Sequence, residues 1–371
     1  MKHTVFLLGF LPNPRMYKRF ALAQEYSDVQ VICWDRAKEM MPLSEKTEIT
    51  FSVIRADAGS NYVSRMVALK KFQKKARVIL EKENPDIIHV QHLDMLQIAC
   101  RYKKRHPNVH IIYEVADLHR LLVDEQKSII KKLAQKYLLS QDKKCSKMAD
   151  ILIVTSQKYY DTYFHNFVPE DKLFYFPNVP DLSVFDRYKP KDHSKDFTIG
   201  FFGGIRYKEE MRLLINCVIE NNIPLIIAGF EQGGNEIEEM CKGHKNIVWL
   251  GKYDFKESAA ELYGKCDCVY SVYNASMANC RVALPNKLYE AVYCELPIIV
   301  ASNTHVADIV EEWNVGISVI HNSQESIEEG IRALLEMERY QKYVAGCKEH
   351  KCEIDLKRYN SALKERILKL F

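Results

Sequence analysis

The sequence predicts an α/β protein made of two doubly wound, parallel-sheet domains, and three observations predict it. At 371 residues the chain exceeds the usual size of one hydrophobic core. Short continuous apolar runs alternate with longer amphipathic ones along its whole length, as strands covered by helices on both faces require. Near the middle a stretch holding Pro177, Pro180 and Pro190, with several Asp and Lys and little periodicity, interrupts that alternation. The expected organisation is a first domain over 1–176, a linker over 177–195 and a second domain over 196–354. A last helix, 355–371, follows no new strand and is expected to pack back on the first domain.

Strand candidates in the first half are Thr4–Leu8, Val29–Cys33, Ile49–Ile54, Ile87–Val90, Val109–Glu114 and Ile151–Thr155. Helical stretches Met16–Tyr26, Tyr62–Lys82, Asp94–Arg105 and Ser128–Met148 lie between them. In the second half the strands are Thr198–Phe202, Pro224–Ala228, Ile247–Leu250, Cys268–Val272, Ile298–Val300 and Gly316–Ile320. Helices Glu209–Glu220, Glu236–Cys241, Lys256–Lys265, Lys287–Tyr293, Thr304–Trp313 and Ser323–Glu338 separate or follow them.

Composition is that of an ordinary soluble protein, with 47% hydrophobic and 27% charged residues. No apolar run approaches the ~20 residues needed to span a bilayer. The apolar part of the N-terminus, Val5–Leu11, is short and precedes no small-residue cleavage site, so it reads as a first strand in a cytoplasmic protein. The eleven cysteines show no framework spacing and read as free, mostly buried thiols; Cys347 and Cys352 flank His350 without a second ligand pair. Charge is uneven. Residues 1–180 carry 29 Lys and Arg against 20 Asp and Glu, whereas 181–371 carry 24 against 29. A basic first half suggests an acidic partner such as membrane headgroups, a lipid phosphate or nucleic acid.

The most informative stretch is Leu284-Pro285-Asn286-Lys287-Leu288-Tyr289-Glu290-Ala291, which runs through Pro297 into the strand Ile298–Val300. A proline-marked loop enters a short helix whose first turn holds Asn286 and Lys287. Free N–H groups and a partial positive charge at such a start suit a diphosphate. Glu290, one turn on, suits a ribose diol as hydrogen-bond acceptor. Together these residues read as a grip for a nucleotide sugar.

This pattern resembles the retaining nucleotide-sugar glycosyltransferases of the large family four, the group 1 enzymes, and the resemblance covers nearly the whole chain. It implies the GT-B fold, with two Rossmann-like domains facing a central cleft that holds donor and acceptor. Gly200-Phe201-Phe202-Gly203-Gly204-Ile205-Arg206-Tyr207-Lys208 resembles the first strand and turn of the family's donor domain. There the glycines admit the diphosphate, and Arg206 and Lys208 are the cations expected to clamp it. Gly229 resembles the end of the second donor strand, and Gly251 with Tyr253 the base-binding turn. Glu290 matches the second of the family's paired glutamates. The first falls at Val282 and is absent, which leaves Arg281 and Asn286 as candidate substitutes.

In the first half, the loop Gly9–Arg19 resembles the family loop that lies over the donor phosphate or meets the acceptor. Asn13, Arg15 and Arg19 are its candidate contacts, with Arg15, Lys18 and Arg19 facing either a phosphate or solvent. The run Pro85–His92 resembles a buried strand leading to a cleft edge, and Tyr113–Arg120 the following strand end. Asp117 and His119 are the first-domain catalytic candidates.

The helices at 62–82 and 128–148 are rich in Lys and Arg. They read as solvated faces or as peripheral contacts with an anionic membrane, each basic residue contributing about 1 kcal/mol near such a surface. The function expected is transfer of a sugar from a nucleotide diphosphate, UDP by resemblance, to a glycan or lipid-linked acceptor. It is expected to run with retention and without a cofactor or metal, in bacterial envelope polysaccharide or glycoconjugate synthesis at the inner membrane face. The alternatives are a nucleotide-sugar epimerase on the same fold and a non-catalytic nucleotide- or nucleic-acid-binding module. Against nucleic acid, the basic helices are not expected to interleave exposed aromatics, and no RNA-binding motif occurs.

Overall fold

The computed structural model describes residues 2–36, 49–59, 62–118, 123–124, 126, 128–192 and 196–371. The chain divides into two compact units. One comprises Met1–Phe176 with Lys357–Phe371, the other Pro177–Leu356.

The first unit is built on a seven-stranded sheet in the order β3-β2-β1-β4-β5-β6-β7, parallel throughout. Its strands are β1 (Lys2–Leu8), β2 (Ser27–Asp35), β3 (Thr50–Arg55), β4 (Ile87–Gln91), β5 (His110–Val115), β6 (Ile151–Val154) and β7 (Leu173–Tyr175). The helices between them are α1 (Pro14–Gln24), α2 (Tyr62–Glu83), α3 (Leu93–Lys103), α4 (Ile129–Ser146) and the short α5 (Gln157–Thr162). Asn13 caps α1 by accepting from the Met16 amide, and Pro14 takes the first helical position, where its missing N–H costs nothing. One face of β1 and β2 buries Phe6, Leu8, Val31 and Cys33 against Met16, Phe20 and Ala23 of α1. On the other, Trp34 stacks on Phe72 of α2 at 5.3 Å. Because β3–β4, β4–β5 and β5–β6 all cross in one direction, right-handed crossovers put α2, α3 and α4 on one face, and α3 packs on both its neighbours.

The second unit has a six-stranded parallel sheet in the order β10-β9-β8-β11-β12-β13. Its strands are β8 (Ile199–Phe202), β9 (Leu225–Ala228), β10 (Ile247–Gly251), β11 (Cys268–Ser271), β12 (Ile298–Ala301) and β13 (Gly316–Val319). Its helices run α6 (Lys208–Glu220), α7 (Glu236–Cys241), α8 (Phe255–Tyr263), α9 (Ala278–Val282), α10 (Asn286–Tyr293), α11 (His305–Glu312), α12 (Gln324–Leu335) and α13 (Met337–His350). Ile199, Phe201, Leu214, Ile227, Tyr270 and Ile331 are among the residues of its core.

Three features depart from the sequence reading. The stretch taken as a linker packs within the second unit. Phe185 is buried against Phe255, Tyr263 and Tyr293, and the Tyr188 hydroxyl donates to the Cys294 carbonyl at 2.6 Å. Helix α13 was not anticipated. It buries only Tyr340, Gly346 and Cys347, a stripe too narrow to stand out in a charged segment. Strand β7 has three half-buried residues, below the length at which a pattern is readable.

The last helix, α14 (Leu356–Leu368), belongs to the first unit. Leu363 and Ile367 are buried there, the Tyr359 ring meets those of Tyr175 and Phe176, and Lys364 pairs with Glu25 at 2.9 Å. Ten cysteines are buried and free, and Cys352 is free and exposed. Leu363→Ala opens a cavity under α14 and is expected to lower stability by about 2–5 kcal/mol, read from denaturant melts. A loss below about 0.5 kcal/mol, the range of exposed sites, would show that α14 is not part of the first unit's core.

Candidate active site

In the second unit the strand order reverses between β8 and β11, and the carboxyl ends of these strands form the crevice where open α/β sheets take ligands. Three loops meet there. The Gly203 amide donates to the Ala228 carbonyl at 2.8 Å, the Gly229 amide to the Gly251 carbonyl at 2.7 Å, and the Ile205 amide to the Phe230 carbonyl at 2.9 Å. Gly229 is required by proximity, since a Cβ there would lie 1.8 Å from the Gly203 carbonyl oxygen. Gly203 is required by conformation, with φ at +125°.

The side chain closest to this turn is Lys287, whose Nζ would lie 3.3 Å from a Cβ on Gly203. It rises from the first turn of α10, donates to the Tyr273 hydroxyl at 3.1 Å and stands 5.2 Å from the Phe201 ring centroid. Among the described residues it has no carboxylate partner. Asn286 is exposed at the first position of α10, and Pro285 before it supplies no side-chain cap. Arg206 is exposed and unpaired among the described residues. Lys208, expected beside it as the second phosphate cation, is engaged elsewhere. Its ammonium lies 2.5 Å from Glu231, a carboxylate with a side chain only 2% exposed, and near Glu236. Burial opposes ionisation of Glu231, but Lys208 and the Ile237 amide outweigh it and hold the carboxyl below its usual range. The structure thus places Lys287, not Lys208, against the glycine turn.

Glu290, on the inner side of α10, is buried and accepts a 2.5 Å hydrogen bond from the Tyr263 hydroxyl of α8. Tyr263 is pushed well above the ordinary phenol range by burial and then by Glu290. The same two causes raise Tyr253, which places the Gly251–Tyr253 turn beside this carboxylate. The sequence reading missed Tyr263, since it sits 27 positions from its partner on another helix. Val282 lies at the end of α9, and Arg281 donates to the carbonyls of Ala275 and Ser276 at 3.2 and 2.9 Å, tying down the loop before it.

In the first unit the order reverses between β1 and β4. Asn13 serves as the α1 cap, and Arg15 follows it, half-buried and unpaired among the described residues. Arg19, expected to face phosphate or solvent, faces neither. It is buried, reaches Glu114 of β5 through Nε at 3.0 Å and Nη2 at 3.3 Å, and lies 3.6 Å from the Phe176 ring centroid. His89 of β4 sets Nε2 3.0 Å from the same carboxylate and stacks on Phe6. Burial raises the Glu114 carboxyl, but Arg19 and His89 outweigh it and hold it far below the usual range. Burial lowers His89, so its neutral ring donates. Asp117 is exposed just past β5, and His119 lies outside the described residues. Among the described residues no cluster of His, Cys, Asp and Glu is arranged to hold a metal ion.

Two parallel α/β units, one with a glycine-lined and cation-bearing switch point, define a GT-B protein, and solved structures agree. Sucrose-phosphate synthase from Thermosynechococcus elongatus superposes with a TM-score of 0.75 at 14% identity, covering 100% of this chain and 99% of that one. Anabaena HepE, solved in complex with UDP-glucose, gives 0.72 at 15% identity with 100% of both chains covered. The lipopolysaccharide outer core galactosyltransferase WaaB gives 0.69 at 11%, again with 100% of both chains covered. No curated protein matches in sequence. Residues 185–349 match the family model described as Glycosyl transferases group 1. The chain thus has the GT-B fold, and the stretch of its second unit over residues 185–349 is similar to Glycosyl transferases group 1.

The buried triad gives a pH signature. Glu114 has a depressed pKa, so its contribution is present above the unfolded carboxyl value of about 4.3 and is lost as pH falls towards its folded value. His89 is also depressed, so its contribution is lost below about pH 6.5. Both groups bind protons more readily when unfolded, and stability is expected to fall on acidification from about pH 6.5 downward. Glu114→Gln leaves Arg19 uncompensated and is expected to cost about 3–5 kcal/mol at neutral pH, with the gap to wild type narrowing in acid. Denaturant melts across pH measure this, and wild-type stability of the variant at pH 7 would exclude the ion pair.

Proposed function

We propose that the protein transfers a glycosyl group from a UDP-sugar to a glycan or lipid-linked acceptor, with net retention and without a metal ion. The observation that carries this reading is the Lys287 ammonium against the Gly203 turn, with no carboxylate partner among the described residues, at the uncapped start of α10. Both features favour a doubly charged diphosphate, and the HepE complexes with UDP and UDP-glucose support the uridine donor. Glu290 accepts from the ribose, and Tyr263 holds it in place.

In the reaction the bond from the anomeric carbon to the diphosphate oxygen breaks through an oxocarbenium-like state. Charge growing on the leaving oxygen is met by Lys287, Arg206 and the first N–H groups of α10. The leaving phosphate takes the acceptor's proton, and the acceptor oxygen bonds the anomeric carbon on the face just vacated. Asp117 and His119 are assigned by resemblance as first-domain catalytic residues close to the sugar being transferred. The lysine-rich helices α2 and α4, and the fold shared with WaaB, support envelope polysaccharide or glycoconjugate synthesis at the inner face of a bacterial membrane.

UDP at about 100-fold its Kd is expected to stabilise the fold by about 2.7 kcal/mol, while GDP and ADP shift the melting point less. Absence of any UDP-induced shift would reject the donor assignment. Arg206→Ala is expected to lower turnover by about 10²–10³ while the protein stays folded, and EDTA is expected to leave wild-type turnover intact. Full activity of the variant, or loss in EDTA restored by manganese, would count against the metal-free clamp. Tyr263→Phe removes the hydroxyl that donates to Glu290 and is expected to weaken UDP binding by about tenfold in calorimetry. Unchanged affinity would separate Glu290 from the ribose.

A further inference from the structure

Helix α4 carries an apolar stripe that the first unit does not cover. Ile129, Ile130, Leu133 and Tyr137 are 77, 80, 64 and 62% exposed. At 3.6 residues per turn they share one side of the helix. Cys145, Ser146 and Asp142 mark the opposite side, which packs into the unit. Single exposed apolar residues are common, but four large ones in three turns form a surface built for an apolar medium.

Charge says which medium. Lys132 and Lys136 flank the stripe, Lys131 and Lys144 are exposed with them, and none of the four has a carboxylate partner among the described residues. The sole acid of the helix, Asp142, is buried and bonded to Tyr163 and Ser146. Beyond α3, helix α2 exposes Arg65, Lys70, Lys71, Lys74 and Lys75 on the same face of the sheet. An apolar stripe edged by lysines is the pattern of a helix lying in a bilayer interface, with its apolar side among acyl chains and its cations among phosphates. No helix among the described residues is long and apolar enough to cross a membrane.

We propose that the first half of α4, Ile129–Tyr137, inserts its apolar stripe into an anionic bilayer and anchors the protein there. Helix α4 follows β5, so this half lies at the carboxyl edge of the sheet, the edge that also carries Asn13, Arg15 and Asp117. An acceptor held in the same bilayer by its lipid is thereby delivered to that edge. This last step rests on the reading of a lipid-linked acceptor, whereas the insertion itself does not.

The test is flotation of the full chain with vesicles of phosphatidylcholine and phosphatidylglycerol, against vesicles of phosphatidylcholine alone. Wild type is expected to float with the mixed vesicles and to be partly retained in high salt. Replacing Lys131, Lys132 and Lys136 by Gln is expected to reduce partitioning by about a hundredfold. Ile130→Ser with Leu133→Ser is expected to reduce it by about tenfold or more and to abolish the salt-resistant fraction. Both variants should keep the UDP-induced thermal shift, which shows that the fold and donor site are intact. If the lysine variant loses binding but the serine variant does not, charge alone attaches the protein and insertion is overturned. If wild type ignores both vesicles, membrane attachment falls as well, while the UDP shift still judges the donor reading. A dimer in gel filtration that the serine variant dissolves assigns the stripe to a second copy and also overturns the proposal.

Discussion

The candidate site depends on one close approach of backbone to backbone. Gly229 lies so near the Gly203 carbonyl that a methyl group would sit at 1.8 Å, inside any contact distance. That approach lets the loops after β8, β9 and β10 be joined by main-chain hydrogen bonds. It also fixes the position of the Gly203 turn beneath Lys287. A side chain at 229 would separate the loops and move the turn away from the start of α10. The glycines act as spacers of minimal thickness, and what they position is the surrounding charge.

Burial then divides the cations into two groups. Arg19 and Lys208 are each drawn onto a buried carboxylate, Glu114 and Glu231. An ion pair of this kind contributes little net stability, yet removing one partner is costly, so both carboxylates bind their cations to the scaffold. Lys287 and Arg206 have no such partner among the described residues, and neighbouring aromatic and glycine surface leaves Lys287 accessible. A cation that the protein does not neutralise is the one that retains attraction for a diphosphate. Glu290, also buried, accepts a hydrogen bond from the phenol of Tyr263.

The first unit separates its functions by face and edge. One side of its sheet buries α1 and the Arg19–Glu114–His89 network. The opposite side carries α2, α3 and α4, whose outer surfaces are basic. The apolar stripe of α4 adds a non-electrostatic component to that surface, and salt screens the electrostatic one.

The sequence by itself determined the α/β class, most strand positions and the glycines of the turn after β8. These are local signals: a buried strand needs an unbroken apolar run, and a backbone at φ +125° or in near contact needs glycine whatever surrounds it. It also made Glu290 and Lys287 legible, through a proline-started helix followed by an apolar strand. Tertiary structure alone decided which charges are free. Arg19 finds Glu114 at a separation of 95 residues and Tyr263 finds Glu290 at 27, and no local pattern encodes such pairings. It likewise decided that the linker packs into the second unit, because Phe185 is apolar in either role and only the ring cluster of Phe255, Tyr263 and Tyr293 gives it a place to bury. The composition of α4 was readable as basic from the start, whereas the exposure of its apolar side depends on which face the sheet covers.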